Sequence, residues 1–454
     1  MTAAATLHVV GAGLAGLAAA TALAAAGRRV TLYESGPYAG GRCRSYLDSE
    51  LGLRIDNGNH LLLSGNRSAM AYLRRIGALD TFERLGAAVF PFCDLESGER
   101  WALRPNRGPL PWWVFSAGRR VPGTRARDYL AVRRLRDAAP DATVAECLGL
   151  GTLLYRRLWQ PVAVAALNTA ADAGAARLFW PVLSETLGRG ATACLPLLPR
   201  QGLSESLIDP AMAMLRASGA AIRVATRLRG IGFADDRVTV LNFDGGPVDL
   251  AAGDAVVLAV PPPVAARLVP DLVVPDDHAP IVNAHYRAAA PLEAPPFVGL
   301  IGGTAEWVFN KRGVISVTVS AADSLVDRPA EELAATLWRD VARALGMTER
   351  PVPPWRIVKE RRATFRATPM QLKRRPATTT RWNNLLLAGD YVDTGLPATI
   401  EGAIRSGLAA ATTVVRLPIA RAHGRRAVPG STERSNGTRF AGDIPWRDEA
   451  CLAR

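Results

Sequence analysis

The apolar positions at the start of the chain fall into two short runs separated by a long helical stretch. Leu7 to Val10 form the first run, an alanine-rich stretch extends to Gly27, and Arg29 to Tyr33 form the second run. Short apolar runs on either side of a stretch of helix length predict a strand, a helix starting near Leu14 and a second strand. Glycines in the first half of the stretch disfavour a membrane-spanning helix or a signal peptide. The chain therefore opens with a predicted βαβ unit.

Beyond residue 75 the pattern changes in blocks. Residues 76–195 have apolar and aromatic positions at helical spacing, residues 196–265 return to short strand-like runs, and residues 266–380 alternate apolar and polar positions around one amphipathic helix at 330–345. These blocks predict an α/β protein. Residues 421–454 lack periodicity and predict a flexible tail.

A glycine motif lies between the first strand and the first helix. Gly11 permits the tight turn, Gly13 lets the backbone approach a pyrophosphate, and Gly16 lets helix and strand pack closely. The helix N-terminus, at Leu14, would point its amides at the phosphates. Glu34 follows the second strand, where a carboxylate binds ribose hydroxyls and repels the extra phosphate of NADP. The motif predicts a dinucleotide site.

Two further segments indicate which dinucleotide binds. Ser35 is followed by a second glycine pair and an arginine, Gly40-Gly41-Arg42, which could line the path of a cofactor lying extended along the protein. A buried run at 385–387 ends in Gly389-Asp390, and a helix opens a few residues later. With these motifs the chain resembles the FAD-dependent amine oxidase and phytoene desaturase superfamily, which implies FAD as the cofactor.

The superfamily resemblance implies a Rossmann-like two-dinucleotide-binding FAD domain (1–75, 196–265 and 381–420) interwoven with a substrate domain of antiparallel sheet plus helices (76–195 and 266–380). It also implies a role for each segment. The carboxylate of Asp390 would bind the ribityl chain, and the helix N-terminus after it would face the flavin pyrimidine, where negative charge gathers on reduction. Residues 226–228 would contact adenine. The predicted FAD-binding residues are Gly11, Ala12, Gly13, Leu14, Ala15, Gly16, Glu34, Ser35, Gly40, Gly41, Arg42, Asn57, Gly58, Asn59, Arg227, Leu228, Ala259, Gly389, Asp390, Leu396, Pro397, Ala398, Thr399 and Ile400.

Composition limits the binding partners and the cellular compartment that we expect for this protein. The chain has 454 residues, a net charge of +14 and five cysteines. The cysteines lack metal-binding or disulfide spacing, which favours a reducing, cytoplasmic compartment and no metal. The positive charge first suggests nucleic acid, but no nucleic-acid motif accompanies it. We expect peripheral contact with an anionic membrane surface instead, on the inner face of the cytoplasmic membrane.

Several segments are specifically similar to the squalene-associated FAD-dependent desaturases, the hydroxysqualene dehydroxylases of bacterial hopanoid biosynthesis. The similarity covers about residues 5–415 and is carried by the segments 56–63, 158–161, 167–169, 363–365 and 395–403. Asn59 stands where that family commonly has glutamine, which preserves the amide. The resemblance implies reductive removal of the allylic hydroxyl of hydroxysqualene to give squalene, with FAD reduced by an electron donor that the sequence does not identify.

His60 is the predicted catalytic residue, as a proton donor to the departing hydroxyl, because its ordinary pKa suits that role near neutral pH. Asp393 and Thr394 are alternatives, and His60 could instead order its loop through a backbone hydrogen bond. Two other functions stay open on the same fold. One is a carotenoid or squalene-type desaturase or an amine oxidase, for which Trp382 and Tyr391 are the nearby aromatic candidates. The other is a non-catalytic prenyl-binding module, which would have a damaged flavin site.

Overall fold

The computed structural model describes residues 5–416 apart from 312, 348 and 349. The predicted tail at 421–454 and the last residues of the predicted FAD domain lie outside that part. The strands are β1 (Thr6–Val10), β2 (Arg29–Tyr33), β3 (Ser45–Asp48), β4 (Leu53–Asp56), β5 (Leu62–Leu63), β6 (Phe82–Arg84), β7 (Phe90–Asp94), β8 (Arg100–Leu103), β9 (Pro196–Pro199), β10 (Ala221–Arg223), β11 (Leu228–Ala234), β12 (Arg237–Phe243), β13 (Gly246–Asp249), β14 (Ala255–Leu258), β15 (His278–Tyr286), β16 (Phe297–Ile301), β17 (Trp307–Lys311), β18 (Val314–Val319), β19 (Trp355–Phe365) and β20 (Leu385–Leu387). The α-helices are α1 (Leu14–Ala25), α2 (Arg67–Arg75), α3 (Val144–Leu148), α4 (Gln160–Leu167), α5 (Ala176–Glu185), α6 (Asp209–Ala217), α7 (Pro262–Leu268), α8 (Ala330–Leu345), α9 (Pro369–Leu372) and α10 (Ile400–Arg416).

A five-stranded parallel sheet is built from three distant parts of the chain. Its order is β10-β2-β1-β14-β20, and each neighbouring pair is parallel. The chain leaves β1 through α1 to β2 on one side, while β14 lies on the other side of β1. The carboxyl ends of β1 and β14 therefore border a topological switch point, where open α/β sheets bind their ligands. The α/β fold class predicted from the sequence is confirmed.

The two faces of this sheet are covered by different layers. Val9, Leu32 and Val257 on one face pack with residues of α1, α2, α6 and α10. On the other face, Val10 and Leu258 join a cluster that includes residues of the small antiparallel sheet β11-β12-β13. Strands buried on both faces need continuous apolar runs, which is the pattern that the sequence shows.

A second, seven-stranded sheet has the order β19-β15-β18-β17-β16-β7-β8. All its neighbouring pairs are antiparallel except β16 with β7, which pair in parallel. The prediction that residues 76–195 are mostly helical is incomplete, because β7 and β8 belong to this sheet. Short buried runs such as Phe90 to Asp94 carry no periodicity that separates a strand from a helix. The exact domain boundaries stay predictions.

The faces of the seven-stranded sheet differ in character. Helix α8 covers one face with Leu337 and Val341, which pack against Val317 and other aliphatic side chains. Because side chains alternate along a strand, Ser316 and Thr318 point to the opposite face. Within the described residues, no helix combines the length and the apolar character that crossing a bilayer requires.

Candidate active site

The glycine motif is tightly constrained at two of its three glycines. Gly11 has a φ of +106°, and a Cβ there would lie 2.3 Å from the carbonyl oxygen of Ala259. A Cβ at Gly16 would lie 1.8 Å from the carbonyl oxygen of Gly11. A Cβ at Gly13 would meet no atom within 4 Å, so the backbone there faces open space. The motif leaves room for a phosphate at the position where the sequence predicts one.

The second glycine pair lies against the first. The backbone amide of Gly40 donates to the carbonyl of Ala12 at 2.8 Å, and a Cβ at Gly41 would lie 3.6 Å from the Cα of Gly13. Helix α1 starts at Leu14 without any side-chain cap, so its first amides are free to bind an anion. Both predicted phosphate-facing segments therefore border the same space.

Glu34 lies beside the motif, as expected. Its carboxylate accepts hydrogen bonds from the amides of Ala12 and Gly36, both at 2.9 Å, and from the hydroxyl of Ser35 at 3.1 Å. Oε2 accepts only the bond from Ala12, so it keeps a lone pair that a ribose hydroxyl could use. The amide of Thr226 donates to the carbonyl of Glu34, which brings the segment of the predicted adenine contacts to this end. Of those contacts, Arg227 is exposed and Leu228 is buried.

Arg42 and Asp390 meet in an ion pair at 2.8 Å. Asp390 is buried, and its carboxylate raises the pKa of the Arg42 guanidinium further. The sequence predicted both residues at the cofactor and did not predict their pairing. The sequence did not predict a role for Arg375. Its buried guanidinium donates to the carbonyls of Asp390, Tyr391 and Val392. It therefore fixes the loop that carries Asp390.

Helix α10 joins the two halves of the predicted flavin site. A Cβ at Gly407 of α10 would lie 2.1 Å from the carbonyl oxygen of Ala15 in α1. The amide of Gly389 donates to the hydroxyl of Ser406 at 2.8 Å. The turn before α10 contains the remaining predicted residues, of which Leu396 and Ile400 are buried and Pro397, Ala398 and Thr399 are partly or fully buried.

An acidic residue in the first turn of α10 caps the start of α2. The buried carboxylate of Glu401 accepts hydrogen bonds from the amides of Ser68 and Ala69 at the start of α2, at 2.9 and 2.8 Å. This cap ties the two helices together. Sequence reasoning named Glu401 only as part of a motif, because its partners are more than three hundred residues away.

The segment 57–59 is connected to the seven-stranded sheet by a chain of hydrogen bonds. The side-chain amide of Asn59 donates to the hydroxyl of Thr318 at 3.1 Å, and that hydroxyl donates to Asn283 at 2.7 Å. Asn283 in turn donates to the carbonyl of Asn57 at 3.3 Å. A Cβ at Gly58 would lie 3.2 Å from the Asn283 amide nitrogen. Thr318 and Asn283 are functional candidates that the sequence did not reveal.

His60 follows this segment and hydrogen-bonds to its own loop. Its Nδ1 lies 3.1 Å from the carbonyl oxygen of Gly58, so Nδ1 carries a proton and Nε2 is the atom left for another partner. Burial lowers the pKa of His60 below its ordinary value. The expectation of an ordinary pKa is therefore wrong, because desolvation disfavours the imidazolium. Of the alternatives, Asp393 is exposed and accepts from the amide of Gly395 within its turn.

The aromatic candidates for an amine-oxidase arrangement do not form a pair. Trp382 packs on Phe233 of β11, with ring centroids 4.4 Å apart, and so lies against the small sheet. Tyr391 is buried next to Asp390. Cys43 is buried as well, and burial raises the pKa of its thiol to about 12. A thiol with so high a pKa is a poor nucleophile, which suits a packing role instead of a covalent flavin link.

The sheet face opposite α8 presents aromatic rings next to the polar network. Trp307 pairs directly with Thr318, and Phe309 pairs with Ser316. Phe297 lies within 6.5 Å of both rings, and Phe92 lies 5.7 Å from Trp307. The indole nitrogen of Trp307 is buried and has no hydrogen-bond partner among the described residues. This face has the apolar character that a long hydrocarbon substrate needs.

Comparison with known proteins agrees with this arrangement. The family model of the flavin containing amine oxidoreductases matches residues 14–415. Cyclohexylamine oxidase from Brevibacterium oxydans has a similar fold, with a TM-score of 0.68 at 16% identity, covering 90% of this chain and 98% of that chain. The chain belongs to the flavin containing amine oxidoreductase family, and it is an FAD-dependent oxidoreductase.

Two relatives identify a narrower family within this larger one. It is 46% identical to the hydroxysqualene dehydroxylase of Zymomonas mobilis over 89% of this chain and 97% of that protein. It is 48% identical to the hydroxysqualene dehydroxylase of Rhodopseudomonas palustris over 90% of this chain and 98% of that protein. Within the larger family, the chain belongs to the hydroxysqualene dehydroxylases.

Proposed function

We propose that this protein reductively removes the allylic hydroxyl of hydroxysqualene and releases squalene, as a step of hopanoid and isoprenoid biosynthesis. The observation that carries the proposal is the similarity to hydroxysqualene dehydroxylases over nearly their whole length. An undamaged glycine motif argues against a non-catalytic prenyl-binding module. The absence of a Trp382–Tyr391 pair removes the feature that would favour an amine oxidase.

The residues at the switch point fit FAD. Gly11, Gly13 and Gly16, with Gly40 and Gly41, would border the pyrophosphate, because the open space at Gly13 admits a close approach. Glu34 would bind the adenosine ribose. The Arg42–Asp390 pair would hold the ribityl region, and the uncapped start of α1 would contribute its positive end.

The chemistry divides into tasks for the cofactor and tasks for the chain. When bound in its reduced form, FAD supplies a hydride to the allylic carbon that loses its hydroxyl. The hydroxyl must take up a proton and leave as water. We assign that proton to Nε2 of His60, since Nδ1 is held by the carbonyl of Gly58. The lowered pKa makes the imidazolium a stronger acid and also restricts it to lower pH.

The aromatic face of the seven-stranded sheet would hold the hydrocarbon chain. Trp307 and Phe309 would supply apolar contacts and exclude water from the reacting carbon. Asn59 and Thr318 border this face, so a polar network would meet the substrate only near the hydroxyl. We also propose that the protein associates peripherally with an anionic membrane, where such a substrate dissolves.

The test is an anaerobic single-turnover assay. The purified yellow protein is reduced with dithionite under nitrogen and mixed with hydroxysqualene, and the extract is analysed for squalene. We expect one squalene per reduced flavin, and no squalene from the same protein with oxidised flavin. Turnover of phytoene or of an amine by the oxidised protein, together with no squalene from the reduced protein, would overturn the proposal.

A further inference from the structure

A cluster of large apolar side chains is exposed on one short stretch of the chain. Trp112 is 64% exposed and Phe115 is 67% exposed, and their ring centroids lie 6.1 Å apart. Leu110, two residues earlier, is 61% exposed. Exposed aromatic pairs of this kind commonly mark an interaction site. The mechanism proposed above uses none of these three side chains.

This stretch is held firmly from beneath. Trp113 is buried and packs edge-on against Tyr129 at 5.2 Å, which places the exposed Leu130 in the neighbouring turn. The side chain of Asn106 accepts from the amide of Trp113 at 3.0 Å and donates to the carbonyl of Leu110 at 2.9 Å. The outward rings are therefore presented by an ordered scaffold.

The segment of the chain that carries these side chains is strongly basic. Residues 104–136 contain nine arginines and one acidic residue, Asp128. Asp128 accepts a hydrogen bond from the backbone amide of Arg125 at 2.7 Å, so it belongs to a local turn. Arg120 turns inward and donates to the carbonyls of Val114 and Thr124. The other eight are exposed: Arg104, Arg107, Arg119, Arg125, Arg127, Arg133, Arg134 and Arg136.

We propose that Leu110, Trp112, Phe115 and Leu130, with these eight exposed arginines, form a docking surface for an anionic lipid bilayer. The aromatic rings would enter the interfacial layer, and the guanidinium groups would pair with headgroup phosphates. A second copy of the chain fits poorly, because a symmetric contact would set arginines against arginines. A membrane also suits the proposed function, on which this choice of partner rests.

The docking surface is continuous with the apolar interior. Trp113 and Tyr129 belong to the same buried cluster as Trp159, Trp101 and Phe92. Phe92 borders the aromatic sheet face that is proposed to hold the substrate. One buried apolar cluster therefore lies between the docking surface and the sheet face that is proposed to hold the substrate.

The test measures sedimentation of the full-length, flavin-loaded protein with vesicles. One set contains phosphatidylcholine alone, and the other contains equal parts of phosphatidylcholine and phosphatidylglycerol. We expect binding to the anionic vesicles, weakened about 30-fold by the double change Arg133→Gln and Arg134→Gln. Trp112→Ala with Phe115→Ala should weaken it about tenfold. Matched changes elsewhere, Arg74→Gln with Arg84→Gln and Leu292→Ala with Met370→Ala, should leave binding within about twofold.

Three outcomes would overturn the inference. They are equal binding to both vesicle sets, equal losses in the matched controls, and self-association in solution that the Trp112→Ala and Phe115→Ala changes abolish. The assay with detergent-dispersed hydroxysqualene separates this inference from the proposed function. The Trp112→Ala and Phe115→Ala protein should then form squalene at the unaltered rate. Vesicle binding without any squalene formation would contradict the proposed function and still support the docking surface.

Discussion

The flavin region and the aromatic sheet face are built by opposite means. The flavin region depends on positions that have no side chain. At Gly11, Gly16 and Gly407, a backbone carbonyl oxygen of another residue lies where a Cβ would collide with it. The sheet face depends on large side chains, such as Trp307 and Phe309, which pack on one another. Adding a Cβ should therefore strongly reduce stability and flavin binding in the first region. Shortening a side chain should have smaller, graded effects on substrate binding in the second.

The largest effect is expected from Gly11→Ala. The new Cβ would lie 2.3 Å from the Ala259 carbonyl oxygen, and alanine disfavours the φ of +106°. We expect a loss of about 3 kcal/mol or more in the free energy of unfolding, together with loss of bound flavin. Flavin absorbance and thermal unfolding measure both quantities.

Gly86→Ala is the matched control, because its Cβ would meet no atom within 4 Å and its φ is ordinary. A yellow, equally stable Gly11→Ala protein would show that the close approach at the glycine motif is not required.

A smaller effect is expected at His60, which lies between the two regions. Removing a general acid typically costs about 10²- to 10⁴-fold in rate, so His60→Asn should lower kcat by at least about 100-fold with flavin retained. Because burial lowers its pKa, the protonated form disappears as the pH rises through a value below 6.5. The wild-type kcat should therefore fall with rising pH in that range.

The pH profile distinguishes proton donation from loop ordering. The His60→Asn protein should lack this fall of kcat with rising pH, since asparagine does not titrate. If the fall persists in the variant, another group donates the proton, and His60 only orders its loop through the Gly58 carbonyl.

The smallest effect is expected from Trp307→Leu on the sheet face. The loss of aromatic surface should raise KM for hydroxysqualene about tenfold and change kcat much less. Flavin content should not change. The measurement is steady-state kinetics with dispersed substrate.

Trp338→Leu is its counterpart on the other side of the same sheet, where Trp338 packs on Tyr286 beneath α8. We expect that change to lower stability with no effect on KM. An equal rise in KM for both variants would contradict the assignment of the substrate to the face opposite α8.

Much of the fold was predictable because its signals are local. The βαβ unit, the helix at 330–345 and the strand before Gly389 each follow from the periodicity of a single segment. Strands β7 and β8 were missed for the converse reason. Their short apolar runs have no period of their own, and only the pairing of β7 with β16 and of β8 with β7 shows that they are strands.

By itself, the sequence determined the class of cofactor and predicted most of the residues proposed to surround it, because the glycine spacing and the residues after each strand act through neighbouring positions. Only the tertiary structure decided the pairing of Arg42 with Asp390, the burial of Arg375 and the link from Asn59 through Thr318 to Asn283. Each of these contacts joins segments far apart in the chain. Their energy depends on distance and desolvation in the folded protein, which no local pattern encodes.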